Sequence, residues 1–189
     1  MITKWNIDYD HSEVLFNVKY LLLTKITGSF KEYLIRAETE EDDICKSPFI
    51  NFTALIDSIE SGNEQRNLHL KSPDFFDIQH YNQLSFTSKS FTQVGSDWPK
   101  FPIAPYQKGY VLVGDLTIKN ITKTVTLKVN YEGKVVNNTG RTIKGFTVNG
   151  TISRKDFGIS WGEKTQAGKL VIGDEVEISC MIQMMKQEA

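Results

Sequence analysis

Apolar and polar residues alternate along much of this chain with a period of two. The alternation is present in residues 5–9 and is strongest in residues 14–21. Because successive side chains of a β-strand point to opposite faces of a sheet, this pattern predicts strands with one buried face. A further strand pattern over residues 26–35 changes phase near Lys31 and Glu32, which predicts a β-bulge, a feature that barrels use to bend a strand.

Strand patterns continue to the end of the chain, at residues 49–59, 84–88, 110–118, 125–131, 146–152 and 176–182. They predict about eight or nine strands in all, joined mostly by short polar connections. No helical patterns alternate with them, so a parallel α/β sheet is disfavoured and an antiparallel barrel or sandwich remains. The length of 189 residues suits a single domain over residues 1–189.

One segment has a clear helical pattern. Asn63 has the side chain of an N-cap for a helix over residues 64–71. Ser72, which precedes a proline, predicts a second helical start, and a short turn over residues 154–157 would stop at Gly158. We therefore expect an all-β protein with one or two short helices.

The charge and hydropathy of the chain exclude some partners. Lys and Arg number 22 and Asp and Glu number 23, so there is no basic excess that would bind nucleic acid. No run approaches the roughly 20 apolar residues that a membrane-spanning helix needs, so we expect no stable membrane insertion. The N-terminus lacks a signal-peptide pattern, which predicts a cytoplasmic protein, or a periplasmic one if the chain is a processed mature form.

The two cysteines, Cys45 and Cys180, allow two interpretations. A disulfide between them is one, but its geometry cannot be tested from sequence. Two free thiols, one of them a small core residue, are favoured because free cysteine is among the most buried residue types.

The chain carries no pattern of a catalytic or metal site. His11, His69 and His80 are scattered and lack metal-ligand spacing, so we expect no metal. There is no Gly-x-Ser-x-Gly motif, and no Ser or Cys is linked by sequence to a His and a carboxylate. Several Asp residues could meet in space, but such residues are mostly caps and turns. The acidic segment 38–43 is likewise interpreted as a solvated loop and not as a calcium site.

Four blocks of the sequence resemble the YceI-like family. They are Trp5-Asn-Ile-Asp8 with His11-Ser12, Phe16 and Gly28-Ser-Phe30; Ser58-Ile-Glu-Ser-Gly62-Asn63 with residues 66–77; residues 114–123; and residues 153–159. The blocks occur in order from Trp5 to about Ile182. The resemblance implies a lipocalin-like, eight-stranded antiparallel barrel that binds a polyisoprenoid or related long-chain amphiphile in an elongated apolar pocket, without catalysis. Asn67 departs from the family, which usually has Asp there, and this removes a possible charge partner of Arg66.

The candidate ligand-binding residues combine aromatic side chains with a few polar ones. They are Phe16, Phe30, Phe52, Arg66, His69, Phe75, Phe76, Phe86, Trp98, Arg154 and Phe157. Arg66 and His69 are three residues apart on the predicted helix, so they can share a face and meet an anionic or hydroxylated head group. The alternative for Arg66 is an ion pair with an acid such as Asp74. Arg154 could likewise either meet the head group or pair with Asp156.

The loop over residues 97–106 is unusual because it places Trp, Phe, Ile and Tyr between three prolines. Loops are ordinarily polar and exposed. This one, which contains Trp98, is interpreted as a lid, a homodimer contact or a membrane-touching edge, against the alternative of a loop folded back on the barrel.

An eight-stranded barrel can be filled by side chains or can hold one small ligand. Burial of hydrocarbon contributes about 0.8 kcal/mol per CH₂, which favours any long chain and does not distinguish isoprenoid from acyl. The first hypothesis is a carrier or sequestering protein for a quinone or polyprenyl lipid, with no cofactor besides this ligand. The alternatives are a carrier of fatty acid-like amphiphiles, an enzyme acting on such a lipid, and a ligand-free interaction module. The lumen is expected to be one continuous apolar tunnel.

Overall fold

Strands make up most of the protein in this computed structural model, which describes residues 2–21, 23–40, 43–46, 48–94, 108–164, 166, 168 and 170–187. The strands are β1 (Thr3–Ile7), β2 (Glu13–Tyr20), β3 (Thr24–Phe30), β4 (Tyr33–Thr39), β5 (Phe49–Leu55), β6 (Ile59–Glu60), β7 (Gln83–Gln93), β8 (Lys108–Ile118), β9 (Ile121–Val136), β10 (Thr142–Ser153) and β11 (Ile172–Lys186). The helix α1 spans Glu64–Lys71, and short 3-10 turns occupy Tyr9–His11, Ile56–Ser58 and Arg154–Phe157.

The strands form a closed antiparallel barrel with eight barrel strands. Three of these are bent and consist of two consecutive segments each, β1 with β2, β3 with β4, and β5 with β6. The first segment of one bent strand pairs with the second segment of the next, as β1 does with β4 and β3 with β6. Strands β7 to β11 supply the other five, and β11 pairs with both β1 and β2 to close the sheet. The predicted fold class is confirmed.

The bends of two barrel strands meet at one corner. The break between β3 and β4 falls at residues 31–32, where the change of phase predicted a β-bulge. The amide of Lys31 donates to the carbonyl of Ser58, at 3.1 Å, and Ser58 lies in the break between β5 and β6. Bending lets each of these strands follow the curved wall while its apolar side chains stay inside.

The core lies inside the barrel because alternate residues of every strand point inward. In β8, Tyr110, Leu112, Gly114, Leu116 and Ile118 are buried, and the residues that alternate with them from 111 to 117 are half-buried. Both cysteines are free, as expected. Cys180 is a buried core residue, and burial raises the pKa of its thiol to about 11.

The helix begins and ends where its local signals predict. Asn63 caps it by accepting a hydrogen bond from the amide of Arg66, at 2.9 Å. The short turn predicted to start at Ser72 and to end at Phe75 and Phe76 is a hydrogen-bonded turn and not a helix: the amide of Phe75 donates to the carbonyl of Ser72, at 3.0 Å. The amide of Phe76 donates to the carbonyl of Leu70, and Asp77 takes a left-handed conformation (φ 53°) that reverses the chain. The turn over Arg154–Phe157 ends at left-handed Gly158, as predicted.

No helix in the described ranges is long and apolar enough to cross a bilayer.

Candidate functional site

Two cavities occupy the barrel, one above the other. The upper cavity has a volume of about 650 Å³ and lies at the end where α1 contributes to its wall. The lower cavity has a volume of about 160 Å³. Both are lined by Val14, Phe52, Leu116 and Ile178, which we call the waist. The lumen is mainly apolar as predicted, but it consists of two cavities that share the four residues of the waist and not of one uniform tunnel.

The described residues that line the lower cavity all have apolar or sulfur-containing side chains. Its lining includes Phe86 and Phe91 of β7 and Phe146 of β10. Ile44 and Pro48, from the segment between β4 and β5, also line it. A volume near 150 Å³ is enough for a benzene-sized group, and an apolar cavity of this kind stays dry. This space suits the end of a hydrocarbon chain.

Aromatic rings form one wall of the upper cavity. The ring centroid of Phe30 lies 5.7 Å from that of Phe16 and 6.2 Å from that of Phe76. Gly28 makes room for this arrangement, because a Cβ there would lie only 2.2 Å from Cζ of Phe16. The volume of the cavity falls within the range of about 300–1,000 Å³ that is usual for small-molecule sites.

Polar side chains from α1 and its approach lie at one edge of the upper cavity. Arg66 donates from Nε to the hydroxyl of Ser61, at 2.9 Å, and from Nη2 to the Ser61 carbonyl, at 2.5 Å. The amide oxygen of Asn67 accepts from the same Ser61 hydroxyl, at 2.6 Å, and its Nδ2 donates to Glu60. Asn67 therefore holds Arg66 in place through Ser61, and Arg66 does not form the ion pair with Asp74 that was the alternative.

His69 belongs to an aromatic cluster that the sequence did not predict. Its ring meets those of Phe75 and Trp161 edge to face, with centroids 5.0 and 4.9 Å away. Its Nε2 lies 3.0 Å from the carboxylate of Asp74. Trp161 was missed because it lies in a loop, between the Arg154–Phe157 turn and β11, where no periodic pattern marks a buried residue.

Arg154 lines the upper cavity, but its donors are engaged elsewhere. Its guanidinium is 4% exposed and donates to the carbonyls of Ile159, Trp161 and Gly173, at 3.1, 2.5 and 3.0 Å. Its ion-pair partner is Asp174, at 3.0 Å, and not the neighbouring Asp156. The side chain thus ties the loop that follows β10 to the start of β11.

The structure brings most of the predicted site residues together. Those lining the upper cavity are Phe16, Phe30, Phe52, Arg66, His69, Phe75, Phe76 and Arg154, and those lining the lower one include Phe52 and Phe86. Phe157 is 1% exposed and packs in the core without lining either cavity. Trp98 and the loop over residues 97–106 lie outside the described residues. The binding roles of all these residues, and the homodimer contact, stay predictions.

A second polar cluster, which the sequence did not predict, lies near the lower cavity. The side chain of Lys144 is 8% exposed, and its Nζ lies 2.7 Å from Oδ1 of Asp43. The same ammonium lies 5.2 Å from the ring centroid of Trp5 and 6.0 Å from that of Tyr131. Asp43 belongs to the acidic segment interpreted as a solvated loop, so one end of that segment is instead held on the barrel.

This ion pair predicts a pH dependence of stability. Burial alone would raise the pKa of Asp43. The hydrogen bond and charge of Lys144 lower the pKa and outweigh this effect, so the pKa lies below its ordinary value. A carboxyl with a lower pKa in the folded state stabilises the fold above its unfolded pKa of about 4, and this stabilisation is lost as the pH falls through the folded pKa. Asp43→Asn should therefore destabilise the protein at pH 7 and have a smaller effect in acid.

Urea unfolding of the parent and of Asp43→Asn at pH 7 and pH 3 checks this expectation. At pH 7 the variant should lose about 1–3 kcal/mol, below the usual cost of breaking a buried pair because Asp43 is 41% exposed. Asp115→Asn is the control and should have a smaller effect, because its partner Lys89 is 53% exposed whereas Lys144 is 8% exposed. An equal loss for Asp43→Asn at both pH values would contradict the prediction.

The three histidines do not converge. His11, His69 and His80 each pair with a nearby carboxylate, of Asp8, Asp74 and Asp77 respectively. Over the described part of the chain, no group of three or more His, Cys, Asp or Glu side chains could hold a metal ion.

A closed eight-stranded barrel with an apolar, two-part lumen and a helix at one end defines a lipocalin-like protein. The chain belongs to the YceI-like family, since the model of the YceI-like domain matches residues 5–184. A UPF0312 protein of Staphylococcus epidermidis is 30% identical over 177 residues, which cover 93% of this chain and 94% of the relative.

Solved structures have the same fold. BcnA of Burkholderia cenocepacia matches with a TM-score of 0.74 and 23% identity, over 94% of this chain and 98% of that one. A polyisoprenoid-binding domain from Saccharophagus degradans, implicated in plant cell wall breakdown, matches with a TM-score of 0.62 and 12% identity, over 97% and 98%.

Proposed function

We propose that this protein is a carrier or sequestering protein for a long-chain isoprenoid lipid, such as a quinone or polyprenyl species, and that it is not an enzyme. The observation that carries the proposal is the pair of adjoining apolar cavities, the larger with polar side chains at one edge. A hydrocarbon chain would extend through the waist into the lower cavity. Its polar head would stay beside Arg66 and His69.

The energy of burial supports a long chain as ligand. At about 0.8 kcal/mol per CH₂, a chain of about sixteen carbons gains roughly 13 kcal/mol before the costs of ordering are subtracted. A chain of about forty carbons would gain roughly 30 kcal/mol, beyond the practical ceiling of about 20 kcal/mol for non-covalent binding. Chain length therefore does not select isoprenoid over acyl. Membership of the family, and the polyisoprenoid-binding domain among the structural neighbours, favour isoprenoid.

The chemistry of the described side chains favours binding over catalysis. Cys180 lines the lower cavity, but burial raises the pKa of its thiol to about 11, so the reactive thiolate is scarce at neutral pH. Among the described residues that line the lower cavity there is no histidine or carboxylate that could act as a base. His69, in the upper cavity, pairs with Asp74 and has no nucleophile as hydrogen-bond partner among the described residues.

Native mass spectrometry of protein purified gently, followed by titration with geranylgeraniol and palmitate, tests the proposal. We expect a co-purifying lipid and tighter binding of the isoprenoid. Tighter binding of palmitate would favour a carrier of fatty acid-like amphiphiles, and conversion of the bound lipid to a new mass would favour an enzyme. A protein that neither carries lipid nor binds either probe would be a ligand-free module, and the proposal would be wrong.

The nature of the head group decides how Arg66 and His69 contribute. Arg66→Ala should weaken the binding of farnesyl pyrophosphate by roughly 1.5–3 kcal/mol, the usual worth of a hydrogen bond to a charged group. His69→Ala should weaken the binding of a ubiquinone analogue more than Arg66→Ala does, since a neutral quinone oxygen needs a hydrogen-bond donor and not a positive charge. Titrations with these two ligands and with a long-chain fatty acid measure both effects.

Lys71→Ala provides the control, because it removes a charge from the same helix. Lys71 pairs with Asp57, at 2.8 Å, and does not line the cavity. If folded Arg66 and His69 variants bind all three ligands like the parent, α1 does not contact the head group. The loop over residues 97–106 would then be the better candidate for the mouth.

A further inference from the structure

The turn between β2 and β3 exposes large apolar side chains at the edge of the upper cavity. Leu23 is 84% exposed, and Leu21 and Tyr20 are 36% and 37% exposed. In sequence, residues 20–23 are Tyr followed by three leucines. Turns are ordinarily built from polar residues and glycine, so the exposed Leu21 and Leu23 are unusual at a turn unless they have a function.

The backbone of this turn makes the leucines more unusual. Leu21 has φ 52°, in the left-handed region where glycine and asparagine are favoured and a leucine is strained. The turn is held by hydrogen bonds from the amide of Leu21 to the carbonyl of Val171, at 2.8 Å, and from the amide of Leu23 to the carbonyl of Tyr20, at 3.0 Å. A strained apolar residue in a fixed turn indicates that the side chain itself is useful.

The apolar surface of this turn continues into the cavity. The inward-facing residues of the same hairpin, Val18, Tyr20 and Ile26, line the upper cavity. On its other edge β3 pairs with β6 only at Ser29 and Phe30, so the outer half of the hairpin extends beyond its neighbour in the described sheet. A hydrocarbon chain between the tip and the lumen would therefore stay in contact with apolar side chains.

A second element that lines the cavity, α1, has a matching feature. Arg66 and His69 of α1 line the upper cavity, whereas Leu68, between them in sequence, is 63% exposed. Two elements that line the cavity thus present leucines to the outside. Lys19 and Lys25 face each other across the hairpin, behind the leucines. Lys25 pairs with Glu177, whereas Lys19 has no ion-pair partner in the described ranges.

We infer that this end of the barrel docks on a lipid bilayer, with the leucines of the β2–β3 turn between the lipid head groups and the cavity open towards the membrane. The inference rests on the proposed function for its ligand. A long hydrocarbon chain leaves a bilayer for water only at a cost that grows with every CH₂. A mouth seated on the bilayer lets the chain pass into the lumen without crossing water. A few inserted leucines give weak, reversible attachment, as a carrier needs.

Vesicle sedimentation of the Leu21→Asn, Leu23→Ser double variant tests the inference. Asparagine tolerates the left-handed conformation of residue 21, so the hairpin should keep its fold. Binding to phosphatidylcholine vesicles should fall at least about tenfold. Val136→Ser is the matched control, since Val136 is 56% exposed at the end of β9, far along the barrel from this turn, and should leave vesicle binding unchanged.

A second measurement separates docking from ligand binding. The double variant should bind geranylgeraniol dispersed in water like the parent, but should take it up from vesicles at least about tenfold more slowly. A parent that binds vesicles but not geranylgeraniol would contradict the proposed ligand and leave the docking surface standing. A parent that does not bind vesicles, or a double variant that binds them equally well, would overturn the docking inference. So would a double variant whose only change is a loss of self-association in analytical ultracentrifugation.

Discussion

Ile178→Trp should lower the affinity for a long-chain ligand at least about hundredfold. Ile178 lines both cavities, so a larger side chain there would fill the waist and separate the lower cavity from the upper one. The lower cavity holds about 160 Å³, space for several carbons. At about 0.8 kcal/mol per CH₂, excluding four carbons loses roughly 3 kcal/mol, which is a factor of about one hundred.

Isoprenoids of different length measure this effect. Geranylgeraniol, with its longer chain, should lose affinity, whereas geraniol fits the upper cavity and should bind Ile178→Trp nearly as it binds the parent. Leu34→Trp is the control. Leu34 is 38% exposed, so this substitution adds a side chain of the same size outside the lumen. Overpacking costs about 1–3 kcal/mol of stability, so Ile178→Phe provides a milder variant if tryptophan prevents folding. Equal losses for both ligands would show that the chain does not pass the waist.

Arg154→Met should lower the free energy of unfolding by about 3–5 kcal/mol. The guanidinium satisfies three backbone carbonyls and the carboxylate of Asp174 in a buried position. Removing it leaves buried acceptors unpaired, each at a cost of about 1–3 kcal/mol. Arg154→Lys should recover only part of the loss, because one ammonium cannot reach acceptors that a planar fork of five donors reaches together.

Lys155→Met is a close control for this prediction. Lys155 is adjacent in sequence and contacts the same Asp174, at 2.6 Å, but its side chain is 49% exposed. An exposed ion pair contributes about 0–1 kcal/mol, so urea unfolding should separate the two variants clearly. Similar losses for both would mean that Arg154 does not hold the loop. Titration of folded Arg154→Lys with farnesyl pyrophosphate then shows whether Arg154 also contributes to ligand binding.

Features that depend on neighbours in the chain were predictable from the sequence. The period of two marked the barrel strands, because each strand has one face inside the barrel and one outside. The side chain of Asn63 marked the start of α1, and the change of phase near Lys31 marked a bend. The Ser72 signal marked a turn, which does not continue as a helix because the chain reverses at Asp77.

Features that depend on barrel closure were decided only by the tertiary structure. Asp43 and Lys144 are 101 residues apart, and Arg154 prefers Asp174 to its neighbour Asp156, because closure of the sheet brings distant segments together. The waist likewise arises where side chains of four strands meet. Alternation in sequence determines which side chains point inward, but the space left between them depends on strand register and curvature, which no local pattern specifies.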